Sequence, residues 1–286
     1  MFAMAGFILV IQVIALALAT PMNELGMQAV ENPESTANSL YYIGIILVFT
    51  ALLLVAIKKN FKWIIQVTIL LAVASTLYYG SYPLLYILGI EDMTNKSISI
   101  VASIGLTVLL YKFPEWYVID VIGIVIGAAA SSIFGISFGI MPAIVLLGLL
   151  AAYDAISVYK TKHMIDLAEG VMDLKLPILF VIPKKRDYSF ITDNVTMEGE
   201  REAFFMGLGD AIMPSILVVS SYVFIEHSGS LPYPTIGAMI GTIAGFVALT
   251  ILVMKGKPQA GLPFLNGGVI IGYIVGALIA GTPLLG

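Results

Sequence analysis

The chain has 286 residues, of which 59% are hydrophobic and only 11% are charged. A soluble protein carries about 25% charged residues, so this composition excludes a soluble protein and indicates one whose solvent is the lipid bilayer. The sequence contains no cysteine, which excludes disulfides, thiol catalysis and metal sites with cysteine ligands. The net charge of −4 indicates no class of partner.

Nine apolar segments are candidates for membrane-spanning helices. Each crossing of the bilayer needs about 20 mostly apolar residues in a helix, because hydrocarbon offers no hydrogen-bond partner to an unpaired backbone amide. We predict helices near residues 2–20, 40–57, 63–89, 97–111, 117–134, 139–158, 203–225, 234–254 and 262–282.

No stretch between these segments is long enough for a separate soluble core. We therefore predict an all-α polytopic membrane protein with one membrane domain over residues 1–286. In it, helices 1–6 cover about 2–158, a loop covers about 159–202, and helices 7–9 cover about 203–282.

The first apolar segment has an alternative interpretation as a signal peptide. Ala17 and Ala19 form an A-x-A pattern before Pro21, as at a cleavage site. No basic residue precedes the apolar run, however, so we expect the segment to be retained as a helix.

The basic residues are distributed unequally between the two sides of the predicted membrane domain. Thirteen of the fourteen lie in the even-numbered loops, and only Lys96 lies in an odd-numbered one. Lysine and arginine in short loops remain on the cytoplasmic side. We therefore expect the N-terminus and the loop 159–202 to be cytoplasmic and the C-terminus to lie outside.

The loop 159–202 contains one apolar segment, 176–183, which is too short to span the bilayer. Pro177, Pro183 and the β-branched residues between them favour an extended or interfacial segment. The alternative is a loop that merely rests on the membrane surface.

Three acidic residues lie inside predicted helices, where a carboxylate costs several kcal/mol and usually indicates function. Asp120 lies near the cytoplasmic end of helix 5, and we expect it to reach the interface or to offset the charge of the helix N-terminus. Asp154 lies about 9 Å inside the cytoplasmic end of helix 6, and Asp210 about 13 Å inside that of helix 7.

Asp154 and Asp210 enter from the same leaflet on consecutive antiparallel helices, so their side chains can face each other. Two carboxyls about 3 Å apart in a low dielectric cannot both ionise, and they share a proton. In such a pair the ionised partner takes a proton from water while the protonated one polarises the scissile carbonyl. The sequence therefore predicts aspartic-protease chemistry that needs neither a metal nor a covalent intermediate.

Tyr153 and Asp154 in helix 6, with Gly207-Leu208-Gly209-Asp210 in helix 7, resemble the YD and GxGD motifs of the presenilin and signal peptide peptidase family of intramembrane aspartyl proteases. The resemblance covers nearly the whole chain, including nine helices and the long loop between the sixth and the seventh. It implies that the chain is a prokaryotic presenilin-like homologue with a presenilin-like fold, and that Asp154 and Asp210 are catalytic.

A third family motif, Pro-Ala-Leu before the last helix, is altered in this chain. Ala260-Gly261-Leu262 stands in its place, followed by Pro263 and preceded by Pro258, so the first proline of the motif is missing. Gly261 and Pro263 keep the backbone irregular there, which leaves amides and carbonyls free to pair with a substrate.

The residues around the two aspartates are expected to bind substrate. Gly207 and Gly209 let backbone or substrate approach Asp210 closely, and Tyr153 is expected to shield or hydrogen-bond the pair. The full expected substrate-binding set is Tyr153, Gly207, Leu208, Gly209, Ala260, Gly261, Leu262 and Pro263.

Glycines recur at every fourth residue in the last two predicted helices, which favours close helix packing. They are Gly237, Gly241 and Gly245 in helix 8, and Gly268, Gly272 and Gly276 in helix 9.

A protease that cuts membrane helices must admit water and unwind its substrate. We expect the substrate to pair as a strand with the segment 176–183 and with the backbone near Leu262. Deleting residues 176–182 from a protein that stays folded should then abolish cleavage.

A proton- or sodium-coupled secondary transporter is the alternative function, with Asp154 and Asp210 as its ion-binding residues. The odd helix count and the lack of an evident inverted repeat argue against it. A prepilin-type peptidase also carries GxGD, but fewer helices and metal-ligand cysteines would then be expected.

We expect no cofactor and no metal, because the sequence has no phosphate loop and no metal-ligand cluster. The expected partners are transmembrane protein substrates and the lipid bilayer, with no nucleic acid. The short termini and modest loop leave little surface for dedicated subunits, so no obligate partner subunit is expected, and homo-oligomers remain open.

Overall fold

The structure, a computed structural model, describes residues 2–59, 61–161, 179–185, 188–191, 202–227, 230–254 and 259–284. Within these ranges it contains nine α-helices: α1 (Phe2–Glu24), α2 (Ala37–Lys58), α3 (Lys62–Ile87), α4 (Asp92–Lys112), α5 (Trp116–Ser137), α6 (Ile140–Ile156), α7 (Leu208–Val223), α8 (Tyr233–Val253) and α9 (Leu262–Ala280). A π-helical turn, Ser157–Thr161, continues α6. Eight of the helices are long and apolar enough to cross a membrane, which confirms the predicted polytopic fold.

Two short strands precede α7, and the second of them was not predicted. They are β1 (Leu179–Pro183) and β2 (Ala203–Gly207), which pair antiparallel with Val181 opposite Phe205 and Leu179 opposite Gly207. The predicted start of helix 7 at 203 is therefore wrong, because residues 203–207 find a strand partner in β1. A short apolar run has no periodicity that separates a strand from a buried helix.

The extended form predicted for the apolar loop segment is confirmed for Leu179–Pro183. Phe180 and Val181 are 1% and 0% exposed, so this segment packs inside the protein and does not merely rest on a membrane surface. Residues 176–178 and most of the loop 159–202 lie outside the described residues.

The helix α7 lies at the centre of the molecule, in a core formed with α1, α5, α6 and α9. Its segment 216–219 is at most 1% exposed. With 16 residues α7 is about 24 Å long, less than the roughly 30 Å of hydrocarbon, and β2 extends it. Such a strand can lie at this depth because surrounding protein shields its backbone from lipid.

The first helix is also part of this core. Ile8, Ile11 and Ala15 of α1 are fully buried, and α1 packs against α5 and α7. Residues 2–24 are thus an integral helix of the folded chain, as expected from the sequence.

The helices α8 and α9 pack backbone against backbone through the glycines predicted for this role. A Cβ atom at Gly237, Gly241 or Gly245 would collide with the carbonyl oxygen of Gly272, Gly268 or Phe264, respectively. The close contact fixes α9 along its length, and α9 ends at a left-handed Gly281 (φ 66°), a common helix C-cap. The start of α9 is thereby held in place beside α6.

Candidate active site

Asp154 lies in the last turn of α6, with 6% of its surface exposed. Its Oδ2 accepts a hydrogen bond from the Leu262 N–H at 3.0 Å, and the Gly261 N–H donates to the same carboxyl. The Ser157 hydroxyl in the π-helical turn donates to the Asp154 carbonyl at 2.9 Å. Asp154 therefore joins the end of α6 to the first turn of α9.

Asp210 lies in the first turn of α7 and keeps part of its surface accessible. Its carboxyl accepts a hydrogen bond from the N–H of Gly207, the N-cap residue of α7. This is the bond that an acidic residue three positions after the cap makes in a capping box, and negative charge is favoured there by the helix dipole. The predicted depth of about 13 Å inside helix 7 is wrong, because the helix begins only at Leu208.

The two carboxyls meet at Gly261. A Cβ atom on Gly261 would lie 3.1 Å from Oδ1 and 3.2 Å from Oδ2 of Asp210, so this glycine is in contact with Asp210 while its N–H bonds to Asp154. The two carboxyls also interact electrostatically. Three helices, α6, α7 and α9, thus bring two acids to one stretch of backbone.

The segment that replaces the Pro-Ala-Leu motif is held by hydrogen bonds to Asp154 of α6 and to Tyr159 of the π-helical turn. The N–H of the buried Ala260 donates to the Tyr159 hydroxyl at 3.2 Å, and this hydroxyl donates to Gln259 Oε1 at 2.9 Å. Pro263 is the second residue of α9, and Pro258 lies outside the described residues. Residues 259–262 are therefore fixed against α6 although the motif's first proline is missing.

The other predicted substrate-binding residues differ in their surroundings. Tyr153 is half-buried beside Asp154, and Gly209 is exposed with no atom within 4 Å of an added Cβ, which leaves open space next to Asp210. The Leu208 side chain lies elsewhere, with Cδ1 3.5 Å from a Cβ built on Gly127 of α5. This side chain is partly buried against the core, and its role in binding substrate stays a prediction.

Two polar residues that support the site were not predicted from the sequence. Asn266 of α9 is fully buried, and its Nδ2 donates to the Leu147 carbonyl of α6 at 2.9 Å. It lies one helical turn after Leu262, so it ties α9 to α6 directly below the bond to Asp154. Tyr159 is the second residue. A buried amide inside an apolar helix was the available signal for Asn266.

The Asp120 side chain is buried inside the protein, contrary to the expectation that it reaches the interface. It is 4% exposed, and its Oδ1 accepts a hydrogen bond from the Val181 N–H of β1 at 2.8 Å. The expectation failed because a strand from a distant part of the chain lies against α5 and supplies a donor.

The chain is similar to known proteins of one family. The family described as "Signal-peptide peptidase, presenilin aspartyl protease" matches residues 5–282. A solved structure of a presenilin family intramembrane aspartate protease in space group C222 is 41% identical, with a TM-score of 0.74 over 98% of this chain and 99% of that chain. A second, in space group P2, is 43% identical, with a TM-score of 0.72 over 98% of both chains.

Two curated mammalian proteins are similar over a shorter region. Signal peptide peptidase-like 2A of Mus musculus is 33% identical over 132 residues, which are 41% of this chain and 24% of that protein. The Homo sapiens protein of the same name is 30% identical over 135 residues, 40% of this chain and 24% of that protein. The matched region is thus about a quarter of the length of these relatives.

None of these relatives supports the transporter alternative. The family match spans nearly the whole chain, and the two solved structures share its fold over nearly its full length. The chain therefore belongs to the signal peptide peptidase and presenilin family of aspartyl proteases, as an integral, multi-pass membrane protein.

Proposed function

We propose that this protein is an intramembrane aspartyl endopeptidase that hydrolyses peptide bonds within transmembrane segments of membrane proteins. Asp154 and Asp210 are its catalytic pair. The observation that carries the proposal is the convergence of both carboxyls on Gly261, in a chain of this family. In this proposal residues 1–286 form a single membrane domain.

The chemistry follows from two acids that share one proton. The ionised carboxyl accepts a proton from a water molecule, whose oxygen forms a bond to the scissile carbonyl carbon. The protonated carboxyl donates its proton to the carbonyl oxygen, which gives a tetrahedral diol. In the collapse of the diol, the carboxylate that gave up its proton takes one from a diol hydroxyl, the C–N bond breaks, and the other carboxyl donates its proton to the leaving amine. The partly exposed Asp210 and the open space at Gly209 give water a route to the pair.

The substrate must leave its helical form before a carbonyl can react, because helical carbonyls are already paired. Addition of the unwound segment as a strand to an open sheet edge replaces those lost hydrogen bonds. The Val181 N–H donates to Asp120 while the Lys184 N–H donates to the Glu202 carbonyl, so the Val181 N–H points away from β2.

The outer edge of β1 is therefore already occupied at Val181, and Pro183 has no N–H to offer. The edge of β2 that faces away from β1 ends at Gly207, three residues before Asp210. We accordingly place the substrate strand on β2, with its far end near Leu262, in contrast to the expected pairing with the segment 176–183 itself.

The test is incubation of the purified protein with a membrane-spanning peptide, followed by mass spectrometry of the fragments. Asp154→Asn and Asp210→Asn should each abolish cleavage, because each removes the shared-proton chemistry. Neither should lower the melting temperature, since each removes a charge from a poorly solvated site. Asp120→Asn is the matched control and should retain most activity. Appreciable cleavage by either single variant would refute the pair.

We further infer that the N-terminus and the loop 159–202 are cytoplasmic and the C-terminus lies outside, from the distribution of lysine and arginine. The substrates are transmembrane proteins met within the bilayer. The enzyme acts without obligate partner subunits, and activity of the purified chain tests this directly.

A further inference from the structure

We infer that Asp120 is a positioning residue of this enzyme, whose side chain holds the β1–β2 sheet in register with the Asp210 side of the site. The expected effect of Asp120 on catalysis rests on the proposed function. The anchoring itself depends only on the contacts of Asp120.

Asp120 is an acceptor placed where a strand lies against a helix. It lies in α5, 4% exposed, with Oδ1 2.8 Å from the Val181 nitrogen. Three residues further along α5, a Cβ on Gly123 would lie 3.0 Å from Cε1 of Phe180. The backbone of β1 therefore lies close to this face of α5, and the Asp120 bond satisfies a buried N–H that points away from β2.

A short series of contacts links this bond to the catalytic pair. Val181 lies opposite Phe205, and Leu179 lies opposite Gly207 in the same ladder. Gly207 is the N-cap of α7, and its N–H donates to the Asp210 carboxyl. Movement of β1 would thus be transmitted through β2 to the residue that holds Asp210.

Asp120 works here as a hydrogen-bond acceptor and not as a charge. Its Oδ2 is buried and has no hydrogen-bond partner among the described residues, and no cation pairs with Asp120 there. An asparagine keeps the shape and the acceptor oxygen that Val181 needs. A leucine of similar size removes the acceptor and leaves a buried backbone N–H unpaired, a costly arrangement.

The experiment compares Asp120→Asn with Asp120→Leu in the full chain, purified in detergent. Hydrogen–deuterium exchange of peptides covering residues 179–185 reports the anchoring, and peptide cleavage reports its consequence. We expect Asp120→Asn to match the wild type in both. In Asp120→Leu, exchange across 179–183 should accelerate about tenfold and kcat should fall by a similar factor, with KM little changed.

Val181→Pro removes the donor instead of the acceptor and provides the comparison if Asp120→Leu fails to fold. Proline is tolerated there because the Val181 N–H is not part of the β1–β2 ladder. It should lower kcat as Asp120→Leu does, and the two changes together should cost no more than one alone.

Equal exchange and equal kcat in Asp120→Leu and Asp120→Asn would overturn the inference. Loss of activity in Asp120→Asn to the level of the leucine variant would also overturn it, by showing that charge matters. If the wild type cleaves no membrane-spanning peptide, the proposed function fails, whereas the exchange difference still decides whether Asp120 anchors β1.

Discussion

At the scale of single residues, Gly261 is in contact with both acids. Its N–H binds Asp154, and its missing side chain leaves room for the Asp210 carboxyl. Leu262 and Ala260 on either side are bonded to Asp154 and Tyr159, so the segment cannot shift easily to accept a larger residue. The missing side chain of Gly261 thus has a steric role in this chain.

We predict that Gly261→Ala lowers cleavage at least roughly tenfold, because displacing a catalytic group by a fraction of an ångström already costs much of its effect. The added methyl would lie 3.1 Å from Asp210 Oδ1, so the carboxyl must move. Gly267→Ala, in the helix α9 that follows Gly261, is the control, since no atom lies within 4 Å of a Cβ built there. Kinetics of both variants on one peptide measure the effect, and equal rates would contradict the steric role of Gly261.

The pH dependence of cleavage is expected to follow the protonation of the Asp154 and Asp210 side chains. When both carboxyls are protonated no base remains to activate water, and when both are ionised no acid remains to polarise the carbonyl. We therefore expect a bell-shaped profile of kcat/KM against pH for the purified enzyme. A flat profile between about pH 4 and pH 9 would exclude the shared-proton mechanism.

At the scale of secondary-structure elements, the site depends on where α7 begins and on how α9 is held. The helix α7 begins at Leu208 because β2 ends at Gly207, and this puts Asp210 in the first turn, where its carboxyl can bond back to the cap. The helix α9 is held by its glycine contact with α8 and by the bond from Asn266 to α6. Neighbouring elements therefore help to fix both helix ends.

The glycine contact predicts the effect of a methyl group between α8 and α9. In Gly272→Ala the new Cβ would collide with the Gly237 carbonyl oxygen, so the helices must separate. Overpacking of this kind costs about 1–3 kcal/mol of unfolding free energy. We expect a melting temperature several degrees below the wild type in thermal unfolding in detergent. Gly267→Ala should melt near the wild type, and equal melting of the two variants would show that the contact is dispensable.

At the scale of the whole molecule, we expect the orientation of the protein in the bilayer to determine which substrates the two aspartates cut. We expect the arrangement of α6 and α7 around the carboxyls to accept a substrate strand in only one direction. From the distribution of basic residues we expect the loop between these helices to be cytoplasmic. The residues that follow Asp210, Ala211-Ile212-Met213-Pro214, look closer to signal peptide peptidases.

We expect orientation, and not this local similarity, to determine substrate direction. The enzyme should prefer single-span substrates with the N-terminus outside and the C-terminus in the cytoplasm. Reconstitution in oriented vesicles, with one span built in both directions, compares the two rates of cleavage. Faster cutting of the span whose N-terminus lies inside would contradict the prediction. Protection of residues 160–201 from a protease added on the cytoplasmic side would contradict its premise.

The sequence alone predicts a membrane protein, the nine helices found in the described residues and the two acids. Each of these predictions depends only on the residues of one segment. A crossing needs about 20 apolar residues, and a carboxylate inside such a run is costly enough to be conspicuous. Asp154 and Asp210 therefore stood out without any knowledge of their neighbours.

Four features depend instead on tertiary contacts. They are the start of α7, the hydrogen-bond partner of Asp120, the packing of the Leu208 side chain against α5 and the contact of Gly261 with Asp210. Each of these involves a segment far away in the chain. The residues 203–207 form a strand because β1 lies beside them, and Asp120 is buried because the same strand provides its donor. Apolar composition specifies that a segment is buried, whereas hydrogen-bond partners brought from elsewhere decide whether it is helix or strand and what its side chains contact.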